Sequence, residues 1–148
     1  MTTREQRRPK PDSLLPHDPP ARLLERIVEV GEERIVCRGR VPGNSPFVRE
    51  GSVPAFVAVE LAAQSAAAWE TLARMKQSAV PEPRVGYVVS IRGVELSPAE
   101  FPAAVDLEVR VEITGAAPPL TMYRFEVSHG DRRVAAGTIS TYITGEQG

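Results

Sequence analysis

Pro54-Ala-Phe-Val-Ala-Val-Glu60-Leu-Ala-Ala-Gln64-Ser-Ala-Ala-Ala-Trp69-Glu-Thr-Leu-Ala-Arg-Met75 contains no glycine and no proline after its first residue. Proline suits the first turn of a helix, and the six alanines between Ala62 and Ala73 are the strongest helix formers available. One long helix is the expected structure. Up to Trp69 the segment is apolar nearly all round, which predicts a helix enveloped by other structure, whereas Glu70, Arg74 and Lys76 are expected to mark its solvated end.

Outward from this helix, both flanks carry the signature of strands. Leu23 to Val30 and Arg34 to Val41 flank Gly31, Glu32 and Glu33 and predict a hairpin. Pro42 to Ser52, with two prolines, two glycines, Asn44 and two serines, predicts a structured loop leading to the helix. Beyond Pro81 and Pro83, the segments Val85 to Val94, Val105 to Thr114, Leu120 to His129 and Arg133 to Thr144 are rich in residues that favour strands. Leu107, Val109, Val111 and Ile113 alternate with Asp106, Glu108, Arg110 and Glu112, so one face of that strand is expected to be buried and the other wet. Gly130-Asp131 predicts a tight hairpin turn. Two strands, a long helix and four further strands predict an α+β fold, an antiparallel sheet of about six strands wrapped around one central helix. One helix leaves the sheet edges unpaired, so a dimer joined edge to edge is expected.

The 148 residues carry 18 basic and 19 acidic side chains, a formal net charge of −1, so no broad cationic field is available for nucleic acid or an anionic membrane. A chain of this length buries roughly two thirds of its unfolded surface, enough for one core. The expected organisation is a flexible basic arm over residues 1–12 and one domain over residues 13–148. The arm shows no apolar run of the kind a secretory signal requires, and the helix is too interrupted to span a bilayer, so a cytoplasmic location is expected. The single cysteine, Cys37, excludes an intramolecular disulfide and multi-cysteine metal sites; it reads as an inert core thiol. His17 and His129 are far apart and imply no metal, and no glycine-rich phosphate loop is present.

Four groups of residues carry a resemblance to a known family: Leu15-Pro16-His17; Leu23-Leu24-Glu25-Arg26-Ile27; Pro42-Gly43-Asn44-Ser45-Pro46-Phe47; and Pro54-Ala55 leading to Glu60 and Ala63-Gln64. Together they resemble the hot-dog 3-hydroxyacyl-acyl-carrier-protein dehydratases, and among these most the divergent dehydratases of aryl polyene-type clusters. The resemblance implies the hot-dog fold, removal of water from a 3-hydroxyacyl thioester in fatty-acid or polyene synthesis, no cofactor, and an acyl carrier protein with a phosphopantetheine-linked acyl group as partner. It also implies a homodimer or a heterodimer with another hot-dog subunit. The catalytic loop histidine of the housekeeping enzymes, counted back from Glu60, falls on Pro46, so the ordinary base is missing.

Elimination of water needs a base at the α carbon, an acid at the leaving hydroxyl and donors for the enolate-like oxygen. Glu60, the only formal charge between Gly51 and Glu70, is expected to be the acid; the alternative is a glutamate that hydrogen-bonds a loop backbone. Gln64 lies one turn on and is expected to hold water or the substrate hydroxyl, or else to pair across a dimer interface. The helix start at Pro54-Ala55 offers amides for the thioester oxygen, the role that the family assigns to the amide after this proline. His17 is the one imidazole in a family motif and the candidate replacement base, at a position the family usually treats as structural. Phe47 and Phe56 are expected to line an acyl tunnel. The competing functional readings are a catalytically degenerate subunit that docks the carrier or supports an active partner, and an acyl thioesterase.

Overall fold

The computed structural model describes residues 22–77 and 86–143. The predicted arm, His17, Val85 and Thr144 lie outside the described residues. The helix α1 runs Ala58–Gln77 and is preceded by a 3-10 turn, Ala55–Val57. Pro54 precedes that turn with φ −58° and ψ 135°, the extended conformation that proline's fixed φ supports.

Among the described residues eight strands accompany the helix: β1 (Leu24–Val30), β2 (Arg34–Gly39), β3 (Ser52–Pro54), β4 (Gly86–Leu96), β5 (Glu100–Pro102), β6 (Leu107–Ala117), β7 (Leu120–His129) and β8 (Arg132–Ile143). Six of them form one antiparallel sheet in the order β1-β2-β6-β7-β8-β4. This is the α+β arrangement expected from the element order. The small ladder β3-β5 was not anticipated: its three-residue strands pair Val53 with Phe101, too short a run for a hydropathy period to show. The β7–β8 turn falls at Gly130, with φ 58°, between the paired His129 and Arg132.

Alternation places Leu107, Val109 and Val111 of β6 inward, with Tyr123, Phe125 and Val127 of β7 beside them. The helix packs Leu61, Ala62, Ala66 and Ala68 into that core, where a fully buried Leu61 or Phe125 contributes roughly 1.5–3 kcal/mol. Alanine on this face lets the helix lie close to β2, β6 and β7. Gly39 fits the closest approach: a Cβ there would stand 2.4 Å from the Leu23 carbonyl oxygen and 2.8 Å from Leu61 Cδ2. Trp69 closes the far side, its Nε1–H donating to the Gly31 carbonyl at 3.0 Å.

Two features of the sheet and helix bear on function. Glu70 is buried rather than solvated, which corrects the expectation that the polar end of α1 begins there. The reason is tertiary: Tyr123 of β7 and Thr141 of β8 both donate to its Oε1, the latter at 2.7 Å. Strand β4 forms an open edge largely beyond the cover of the helix, with Tyr87, Val88, Val89 and Ile91 all exposed.

Candidate active site

The helix start is built by a close fit between two loops. The hairpin Arg49–Ser52 turns through Glu50 and Gly51, both at positive φ, and Arg49 and Ser52 exchange backbone hydrogen bonds of 2.9 Å. Gly51 in turn accepts from Ala103 N at 2.8 Å. β5 therefore buttresses the residues that lead into α1.

That buttress changes the expected role of Ala55. Its amide does not remain free for a thioester oxygen but donates to the Ala99 carbonyl at 2.8 Å, and its side chain is buried. The residue still sits at the positive end of the helix dipole, but in the i to i+3 pattern of the 3-10 turn the Val57 amide reaches back to the Pro54 carbonyl, so the donor that the turn itself leaves without an acceptor is the amide of Phe56. Pro54 of β3, paired with Glu100 of β5, fixes where that amide points.

Glu60 and Gln64 are brought together as the one-turn spacing requires. Gln64 is fully buried; its Oε1 accepts from Leu23 N at 2.8 Å and Leu24 N at 3.3 Å, and its Nε2 donates to Glu60 Oε1 at 3.1 Å. Gln64 thus ties the start of β1 to the helix and aims the carboxylate. Glu60 itself is half-buried, less enclosed than its apolar surroundings in sequence implied, because it stands near the open start of the helix.

The remaining candidates are spread around this pair. Phe47 is 39% and Phe56 61% exposed, and neither lines the two clearest cavities. One cavity, about 370 Å³, lies among charged residues of the sheet such as Arg110 and Arg124; the other, about 490 Å³, lies between β5 and the β7–β8 turn. Pro46 sits exposed on the loop, where Ser45 Oγ accepts from Phe47 N at 3.2 Å. Cys37 is wholly buried, and burial pushes its thiol up to about 11, against a lesser opposing hydrogen bond with Ser65. Among the described residues no group of three or more histidine, cysteine or acidic side chains is placed to hold a metal. No helix among them is long and apolar enough to cross a membrane.

Sequence reasoning missed the second carboxylate of the helix. Glu70 lies ten positions beyond Glu60 and is far more deeply buried. Burial and then the Glu70 carboxylate push the Tyr123 hydroxyl well above its ordinary range, so Tyr123 stays a proton donor. A signal existed: a tyrosine and a threonine at inward positions of adjacent strands need a buried acceptor.

Comparison with known proteins agrees with this architecture. Over 144 residues the chain is 26% identical to an uncharacterized thioester dehydrase of Halalkalibacterium halodurans, covering 93% of this chain and 89% of that protein. In structure it is similar to the dehydratase heterocomplex ApeI:P of Xenorhabdus doucetiae, with a TM-score of 0.85, 23% identity, and 95% of this chain and 94% of that one covered. A hypothetical thioesterase with coenzyme A from Streptococcus pneumoniae is a more distant match, with a TM-score of 0.60, 14% identity, and 82% and 87% covered. The family model of the ApeP dehydratase matches residues 9–147. The chain has the hot-dog fold and belongs to the ApeP-like dehydratase family.

Proposed function

We propose that this chain takes part in removing water from a 3-hydroxyacyl group carried on the phosphopantetheine of an acyl carrier protein, in cytoplasmic fatty-acid or polyene synthesis, as one subunit of a two-chain hot-dog assembly. The observation that carries the reading is the Glu60 carboxyl, held by Gln64 at 3.1 Å one turn inside a helix start that offers the Phe56 amide.

The chemistry balances with those parts. A base takes the α proton, the C–H electron pair becomes the new double bond, and the β C–O bond breaks as Glu60 gives its proton to the leaving hydroxyl, forming water. The amide of Phe56 receives the thioester oxygen as it gains charge. The base is His17 or an imidazole of the second subunit, because Pro46 occupies the family's histidine position. Phe47 and Phe56 then close an acyl tunnel that becomes complete only against the second subunit. The ApeI:P neighbour is named as a heterocomplex, which supports a two-chain assembly, and the surface we assign to the pairing is the open edge β4.

The degenerate-subunit reading is favoured by one specific feature, Pro46 itself: the subunit would support a partner that carries the histidine. The test is dehydration of a 3-hydroxyacyl carrier substrate by the purified chain, alone and co-expressed with a histidine-bearing hot-dog subunit. Glu60→Gln should lower enoyl formation about 10²–10⁴-fold. Full activity in that variant refutes the acid role, and release of free carrier thiol in place of enoyl product refutes dehydration. Loss on His17→Ala, with the chain alone active, identifies the base.

A further inference from the structure

Glu70 has an oxygen that no donor among the described residues reaches. Its Oε1 accepts both Tyr123 Oη–H and Thr141 Oγ1–H, and the oxygen left over is Oε2. The residue is only 7% exposed, yet this oxygen is not among the buried atoms left without a partner, so what reaches it is solvent at the rim of the core, which an added strand would cover. Oε2 is aimed at the start of β4, where a Cβ on Gly86 would stand 3.8 Å from it. Gly86 contributes no side chain there, and it belongs to the strand at the edge of the sheet.

The edge has the properties of an unfinished sheet. β4 is bonded on one side to β8 and presents its other side unpaired, with Tyr87, Val89 and Ile91 each more than half exposed. A strand added there lies about 4.8 Å away and sets its inward side chains beside those of β4. The register fixes which those are. Val88 pairs with the inward Thr141, Ile91 with the inward Ile139 and Leu96 with the inward Ala135, whereas Tyr87 and Arg92 pair with outward residues. The inward row of β4 is therefore glycine and aliphatic side chains, without one donor.

Resting on the reading that β4 pairs with another hot-dog subunit, we infer that Glu70 selects that subunit: its Oε2 takes a lysine or arginine from the inward face of a non-identical partner strand and opposes pairing of β4 with a second copy of this chain. A second copy would bury the carboxylate against Val88 and Ile91, leaving a charged acceptor unsatisfied, the costliest kind of buried group. A cationic side chain converts the same oxygen into a charge-assisted hydrogen bond. Specificity then comes from what the wrong partner lacks.

The full chain alone provides the test, by sedimentation velocity across a concentration series. The triple variant Glu70→Leu, Tyr123→Phe, Thr141→Val removes the carboxylate together with both hydroxyls that depend on it. It should self-associate about tenfold or more tightly than the parent, the factor that relief of one unsatisfied buried acceptor produces. Glu70→Gln, which keeps an acceptor for both hydroxyls, should shift association in the same direction by less, and keeps the test valid if the triple variant melts early. Ile91→Lys added to either should return it to monomer. A parent homodimer as tight as the variants, unchanged association in both, or a dimer that survives Ile91→Lys overturns the inference. Dehydration by the co-expressed two-chain assembly is read separately, so failure of the reaction and failure of the selection remain distinct.

Discussion

The side-chain amide of Gln64 donates to Glu60 Oε1 at 3.1 Å while its carbonyl oxygen accepts from the backbone of Leu23 at 2.8 Å. One side chain therefore fixes both the entry of β1 and the orientation of the carboxylate. Gln64→Met keeps the volume but strands two buried amides, a loss of about 2–4 kcal/mol in urea denaturation. Gln64→Glu keeps an acceptor for those amides, so it should retain more of the stability while activity still falls. Equal stability of the Met variant and the parent would show that the Leu23 contact contributes nothing.

Gly39 tests the same corner from the backbone side. Any side chain there drives into the Leu23 carbonyl and Leu61, one of which is backbone and cannot swing away. Gly39→Ala should therefore cost about 1–3 kcal/mol by overpacking, against the slight gain that alanine brings to an open strand site. Thermal melting decides it, with Gly43→Ala, where nothing stands within 4 Å, as the control.

The helix and the order of the long strands were legible because each rests on local signals: alanine content without breakers, alternation along β6, and Gly130 at the hairpin turn. The pairing of Glu60 with Gln64 was legible for the same reason, since spacing alone puts them one turn apart. What Gln64's other end does was not, because Leu23 is 41 residues away. Glu70 was misread on the same ground: its partners lie 53 and 71 residues downstream, and hydropathy scores a charge without seeing two hydroxyls folded onto it. The Ala55 amide was misassigned because β5, three residues long, leaves no periodic trace, yet its neighbour Ala99 takes that donor.

Cys37 should behave as a buried hydrophobe. Its thiol, pushed up to about 11 from an ordinary 9.0, is protonated at neutral pH, so the native protein should resist iodoacetamide at pH 8 and react only as it unfolds. The folded state holds this proton more tightly than the unfolded chain. Its contribution is thus complete below pH 9 and is lost as pH rises through 11, about 2–3 kcal/mol over that interval. Cys37→Ala should flatten that part of the stability curve; an unchanged curve would assign it elsewhere.

Tyr123 makes the companion prediction at higher pH. Its ordinary value is 10.0, and burial followed by the Glu70 carboxylate raises it in the folded protein. Folding therefore favours the protonated phenol, giving stability that is whole below pH 10 and declines as pH climbs further toward the raised folded value. Tyr123→Phe should lose about 1–3 kcal/mol at neutral pH, because Glu70 gives up one of its two hydroxyl donors, and should decline less steeply than the parent above pH 10. Trp69, whose ring meets Tyr123 edge-on at 6.4 Å, provides the fluorescence signal for both titrations. Parallel alkaline curves for variant and parent would mean that ionisation of Tyr123 does not drive the loss, and that the Glu70 site tolerates a phenolate that its geometry opposes.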